Sequence, residues 1–117
     1  MGRMSREKGK RGERELAKIL REYGYDARRG QQFCGSNGDA DVVGLPGIHI
    51  EVKRTEVLKA YQYLEQAIAD AKYGEMPVVF HRQNGKPWIV LMPIDIFMQL
   101  YGEKHGNIQN SEPQLLD

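Results

Sequence analysis

From Lys8 to Tyr23 apolar residues recur at spacings of three and four, with Leu16, Ile19, Leu20 and Tyr23 on one face and charged residues on the others. The spacing predicts a helix, and Gly24 is a suitable residue to end it. The next segment, 30–38, reads GQQFCGSNG and has the Gly-rich polar character of a loop. A period of two then takes over. Asp41 to Val43 and Ile48 to Arg54 predict two strands joined through Leu45-Pro46-Gly47, whose proline and glycine suit a tight turn. Along the second strand Ile48, Ile50 and Val52 point one way, while His49, Glu51 and Lys53 point the other. Helical spacing returns from Val57 to Lys72, where Val57, Leu58, Tyr61, Leu64, Ala67, Ile68 and Ala71 mark the expected buried face. The stretch MPVVFHRQNGKPWIVLMP predicts a second hairpin around Asn84-Gly85, with Trp88 packed in its strand. A third helix, Ile94 to about Tyr101, follows Pro93. The order α-β-β-α-β-β-α predicts an α/β fold, a mixed β-sheet flanked by helices. With no internal repeat or linker, residues 1–101 are expected to form a single domain and 102–117, which lack periodicity, a flexible tail.

Composition narrows the class. A chain of 117 residues, 28% charged and 40% hydrophobic, has the length and balance for one folded core. No apolar run approaches the roughly 20 residues of a membrane helix, and the basic N-terminus lacks the apolar segment of a signal peptide, so a cytoplasmic protein without membrane partners is expected. Cys34 is the single cysteine, which excludes an intramolecular disulfide and opposes a thiolate zinc site. The net charge of +1 conceals an asymmetry. Residues 1–29 contain ten Lys/Arg against five acids, which leaves the remainder acidic. Such a basic segment is either a solvated arm or a surface for phosphates, whose counterions are released when Lys and Arg replace them.

The first hairpin carries the candidate chemistry. Asp41 begins one strand, Glu51 lies on the next, and Lys53 shares the face of Glu51. As surface structure the Glu-Lys pair would contribute at most about 1 kcal/mol. As a site it has a chemical rationale: two adjacent carboxylates repel unless a cation lies between them, and hard oxygen ligands suit Mg²⁺ or Mn²⁺. A bound ion of this kind polarises a phosphoryl oxygen and lowers the pKa of water, and a neighbouring lysine stabilises charge developing on phosphorus.

An acid opening one strand followed by E-x-K on the next resembles the signature of the PD-(D/E)XK nuclease superfamily. The segment KGKRGERELAKILREYGYDARR, Lys8 to Arg29, further resembles the first helix of archaeal-type Holliday junction resolvases and their phage and prophage relatives. Glu13, Arg14, Gly24-Tyr25 and Arg29 match that family in order. The resemblance covers residues 8 to about 54, and the remainder only by its succession of elements. It implies a restriction-endonuclease-like fold and assigns roles position by position. Asp41 and Glu51 would be direct metal ligands, with the Val52 carbonyl as a further one. Glu13 would join the metal site through water, and Lys53 would be the catalytic lysine. Arg14 and Arg29 would hold phosphates, with Lys8 and Arg11 on the same basic segment and Ser36 in the loop that touches DNA in relatives. Gln66 occupies the position of a site-facing glutamine on the following helix, or lies on a plain polar face.

Two departures stand out: Ala40 replaces the usual proline before the first acid, and the loop from Gly30 to Asp39 is longer than in the archaeal enzymes. Asp39 rivals Asp41, but Asp41 directly precedes Val42-Val43 and is the preferred ligand. His49 has the parity of Glu51 and could approach metal or substrate, although a satisfied surface histidine is its simpler role. Tyr61 and Tyr63 could stack on nucleic acid, while helical spacing assigns Tyr61 to the core.

The resemblance thus implies an Mg²⁺-dependent endonuclease, with Mn²⁺ as a substitute, that cuts four-way DNA junctions as a homodimer, because paired nicks need two sites related by two-fold symmetry. A nickase, repair or restriction-type nuclease on duplex DNA keeps the same fold and motif. A non-catalytic DNA-binding module on this scaffold is the third possibility, and the retention of all four of Glu13, Asp41, Glu51 and Lys53 opposes it.

Overall fold

The computed structural model describes residues 2–31 and 40–105. Cys34, Ser36 and Asp39, most of the loop that holds them, and the tail from residue 106 onward lie outside the described residues.

The first helix, α1, spans Gly2–Glu22. It begins before the apolar pattern does because Met4 is the one large apolar residue of its opening turns, which leaves no stripe to read. The end is set by Gly24 at φ 102°, where the Gly24 N–H donates to the Arg21 carbonyl at 2.9 Å and the Tyr25 N–H to the Leu20 carbonyl at 3.1 Å. This pair of bonds satisfies carbonyls that would otherwise be orphaned at the C-terminus. Leu16, Ala17 and Leu20 are buried. Tyr23, expected on the same face, falls in the terminating turn and is exposed instead.

Five strands form one sheet in the order β1-β2-β3-β4-β5: Arg28–Arg29, Val42–Val43, Ile48–Arg54, Met76–Arg82 and Ile89–Leu91. All neighbours are antiparallel except β3 and β4, which run parallel from Ile48 opposite Met76 to Arg54 opposite Arg82. A parallel pair needs a crossover, and α2, Ala60–Asp70, supplies it. The third helix, α3, spans Ile94–Lys104 and so passes Tyr101. The expected mixed α/β sheet is observed with one additional strand. That strand, β1, is two arginines long and carries no alternation.

The sheet has a helix on each face. On one side Leu16, Ala17 and Leu20 of α1 pack with Ala27, Val42, Ile50 and Val52, and Phe80 and Trp88 close the cluster. On the other, Tyr63 and Ala67 of α2 pack on Val79, flanked by Leu64 and Leu91. The buried face of α2 therefore differs from the expected one: Tyr61 is 82% exposed, while Tyr63 is buried. The helix also starts after Val57. The Val57 carbonyl accepts from the Thr55 hydroxyl at 2.9 Å and the Tyr63 hydroxyl at 3.0 Å, and these bonds hold residues 55–59 in a turn.

Candidate active site

Asp41 stands at the start of β2, where its backbone is bonded on both sides. Its carbonyl accepts from the Gly30 N–H at 2.9 Å, and its N–H donates to the Ile50 carbonyl at 3.1 Å. The tight exit of β2 against the segment leading into β1 depends on Gly44, at φ 129°, since a Cβ there would meet the Ala27 Cα at 2.5 Å. With the backbone held, Asp41 Oδ2 accepts from the Val52 N–H at 2.8 Å, so the acid lies against the middle of β3.

Glu51 projects from β3 toward the α2 side and is only 5% exposed. Its two oxygens face different partners: Oε1 lies 3.2 Å from His49 Nε2, and Oε2 lies 4.0 Å from Lys53 Nζ. Lys53 is itself held. Its Nζ donates to Gln66 Oε1 at 2.8 Å and sits 5.3 Å from the centre of the Tyr63 ring, a cation-π arrangement. Gln66 and Tyr63 are three residues apart on α2, which places both over the same strand. Glu13, half-buried on α1, accepts from Arg29 Nε of β1 at 3.0 Å.

Electrostatics tie these groups together. Burial pushes the Asp41 carboxyl up to about 7, the negative charges of Glu51 and Glu13 push in the same direction, and the Val52 N–H and Lys53 oppose them. The His49 imidazole is raised from its ordinary value chiefly by its hydrogen bond to Glu51, against the opposing effect of burial, with the charges of Glu51, Glu75 and Asp41 adding to the rise. A concentration of hard oxygen donors carrying more negative charge than the adjacent lysine balances is a donor set suited to Mg²⁺ or Mn²⁺. Asp41, Glu51 and Glu13 are the side chains that could hold such an ion.

The structure therefore brings together Glu13, Asp41, Glu51, Lys53 and Gln66, with Arg29 attached through Glu13 and the Val52 backbone through Asp41. Arg11 and Arg14 lie on the exposed side of α1, where with Lys18, Glu15 and Arg54 they line a shallow groove of about 350 Å³. Lys8 is engaged with Glu56 at 3.3 Å. His49 is a correction: it is 5% exposed, so it is a buried partner of Glu51 and not a solvated surface residue. Tyr63 is a second, since its buried ring and its hydroxyl, which is 2.8 Å from Thr55 Oγ1, leave no face for a base to stack on. Sequence inspection missed Tyr63 as the residue beside Lys53. The signal was its spacing of three from Gln66.

The chain matches the sequence family described as "Phage putative PDDEXK endonuclease" over residues 4–113. No curated protein sequence matches it significantly. Among solved structures it is similar to Hjc of Archaeoglobus fulgidus, a Holliday junction resolvase from an archaeal hyperthermophile, at 26% identity and a TM-score of 0.54, over 78% of this chain and 75% of that one. The mixed sheet with its flanking helices is thus the restriction-endonuclease-like fold. Since the family match runs through α1, the acid-bearing hairpin, the crossover helix and the last strands alike, the chain belongs to the phage PDDEXK endonuclease family.

Proposed function

We propose that this nuclease is a divalent-metal-dependent, structure-specific endodeoxyribonuclease that resolves four-way DNA junctions as a homodimer. The observation that carries the reading is Asp41, held on the Val52 N–H at 2.8 Å next to the buried Glu51, beside a lysine whose amine is positioned by Gln66 at 2.8 Å. The similarity to a Holliday junction resolvase favours branched DNA over plain duplex.

In this reading Asp41, Glu51 and the Val52 carbonyl would hold Mg²⁺, or Mn²⁺ as a substitute, and Glu13 would complete the acidic set around the ion. The ion, when bound, supplies Lewis-acid polarisation of the scissile phosphate and a more acidic water. The protein's own groups do the rest. Gln66 fixes the Lys53 amine at the edge of the carboxylates, where it stabilises charge building on the phosphorus oxygens. Arg29 offsets part of the charge of Glu13 and presents its remaining N–H groups to the DNA backbone. Arg14, Arg11 and Lys8 extend that contact along α1, Arg14 and Arg11 through guanidinium groups suited to bidentate phosphate binding.

The homodimer draws support from α3. Its Ile94, Phe97, Met98 and Tyr101 are all exposed, as are Ile89 and Val90 of β5, and the helix makes only sparse contacts with other described elements. A helix with this much unburied apolar surface fits a partner of the same kind, and a second copy supplies the second cut that a symmetric junction requires.

The test is cleavage of a synthetic four-way junction and of a linear duplex of matched sequence, in Mg²⁺, Ca²⁺ and excess EDTA. The expected result is cleavage of the junction alone in Mg²⁺, with binding but no cleavage in Ca²⁺. Equal cutting of the duplex would replace the resolvase reading with a general nuclease. Binding without cleavage in any metal would make the chain a DNA-binding module, and full cleavage in EDTA would eliminate the metal mechanism.

A further inference from the structure

On the far side of Glu51 from Lys53 lies a second group of ligand-bearing side chains. His49, Glu51 and Asp70 each offer a donor atom, and these atoms lie within 4.8 Å of one another. His49 and Glu51 are two residues apart on β3, and Asp70 is the last residue of α2, so the crossover returns an acid to the strand it left. We infer that His49, Glu51 and Asp70 form a second divalent-cation site, distinct from the one beside Asp41 and joined to it by the Glu51 carboxylate.

Three features of the geometry support a ligand role over a purely structural contact. The first is the imidazole's orientation. Nδ1 faces Glu75 Oε1 at 3.7 Å, and Glu75 is held by the Lys72 N–H at 2.9 Å, so a carboxylate sits behind the ring while Nε2 faces Glu51 Oε1 at 3.2 Å. At 3.7 Å this contact is electrostatic and longer than a hydrogen bond, and a carboxylate behind a histidine raises the basicity of the nitrogen that binds metal. The second is spacing. Ligands about 2.1 Å from a shared ion lie roughly 3 to 4 Å apart, so closing this group on an ion needs only a small contraction, within the reach of the exposed Asp70 side chain. The third is access. His49, Asp70 and Glu75 line a cleft of about 410 Å³ together with Asp26 and Lys72, and its acidic side chains outnumber its one lysine.

One nitrogen and two carboxylates make a donor set of intermediate hardness. It favours first-row ions such as Mn²⁺, Co²⁺ and Zn²⁺ over Mg²⁺, whereas the all-oxygen set around Asp41 does not discriminate in that way. Glu51 serves both sites because its oxygens are divided: Oε1 faces His49 and Oε2 faces Lys53.

The experiment is metal binding by the chelator-stripped full-length protein without DNA, so its outcome is independent of whether the chain cuts junctions. Mn²⁺ and Co²⁺ binding are titrated by calorimetry, and nitrogen coupling to bound Mn²⁺ is read by pulsed electron paramagnetic resonance. The parent is expected to bind two ions per chain, one with a nitrogen ligand. Asp70→Asn, a change at an exposed helix end that should leave folding intact, is expected to weaken that ion at least tenfold, and His49→Gln to abolish the nitrogen coupling. Asp41→Asn should weaken the other ion and keep the coupling. A single bound ion without nitrogen coupling in the parent, or binding and spectra unchanged in both Asp70→Asn and His49→Gln, would overturn the inference.

Discussion

The two faces of β3 are built from alternate residues of one strand, yet they differ in nearly every physical respect. Ile50 and Val52 face α1 and are enclosed by Leu16, Ala17, Leu20 and Val42. His49 and Glu51 face α2 and are buried almost as completely, but they bring ionisable groups into that space, with Lys53 at its edge. Burying an apolar side chain contributes roughly 1.5–3 kcal/mol, whereas burying a carboxylate costs free energy unless hydrogen bonds or a cation compensate. The α1 face therefore supplies stability that the α2 face consumes. A folded chain keeps a poorly compensated carboxylate pair only where the pair has a use, and this contrast points to the site more directly than the charges alone.

The largest separation of the two faces should come from Glu51→Gln and Lys53→Ala. Each is expected to lower single-turnover junction cleavage by on the order of 10³-fold or more while circular dichroism and gel-shift affinity stay near parental. Glu51→Gln should bind the junction somewhat more tightly in EDTA, because it no longer repels phosphate. Near-parental cutting by either variant would remove this strand from the chemistry.

Ile50→Ala, on the opposite face, should do the reverse: a loss of about 2–5 kcal/mol in urea unfolding, with the metal and DNA chemistry intact in the fraction that remains folded. A stability cost below about 1 kcal/mol would mean that α1 does not anchor the strand.

A smaller effect is expected from Asp41→Asn in the metal-free protein. The Asp41 carboxyl moves from 3.8 to about 7 on folding, so the folded state holds a proton that the unfolded state has released, and stability falls as pH rises through that window. His49 acts in the same sense: its raised value contributes stability that is present below about 6.5 and lost as pH climbs through the folded value. Asn should flatten the fall between pH 4 and 7 and raise stability at pH 8 by on the order of 1–2 kcal/mol. Thermal melts across pH with and without the substitution check the sign. In the parent, adding Mg²⁺ at pH 8 should restore much of the loss, since the ion binds the deprotonated acid.

The smallest change is expected from Arg14→Ala with Arg29→Ala. The slope of log affinity against log salt should shallow by about one to two, one contact each. An unchanged slope would place the phosphate surface elsewhere than on α1 and β1.

Much of this contrast was legible before the structure. Alternation from Ile48 to Arg54 fixed both the strand and the parity of Glu51 and Lys53, and Leu45-Pro46-Gly47 fixed the turn that sets Asp41 opposite them. What could not be read depended on packing between distant segments. The two arginines of β1 carry no pattern and become a strand only because Val42 and Val43 offer them a ladder. On α2, Tyr61 and Tyr63 are equally apolar by composition, and the choice of Tyr63 follows from its hydroxyl reaching the Val57 carbonyl and Thr55. His49 reads as a surface residue because nothing in a strand pattern shows that Asp70, at the end of α2, and Glu75, beyond it, will arrive beside it.

The GKRG string of α1 holds two glycines whose tolerance to replacement is opposite. A Cβ at Gly9 would meet nothing within 4 Å, so in a randomised library alanine there should be enriched, gaining about 1 kcal/mol of helix propensity. A Cβ at Gly12 would strike the Arg54 stem, 2.3 Å from Cγ and 3.3 Å from Cβ. That stem cannot swing aside freely, because the Arg54 guanidinium donates to the Arg82 carbonyl at 3.2 Å and to Asn84 Oδ1 at 3.1 Å and lies 3.6 Å from Glu15. Selection for folded protein should therefore return glycine at position 12 one residue before Glu13, and any larger residue recovered there should appear together with a shortened side chain at position 54.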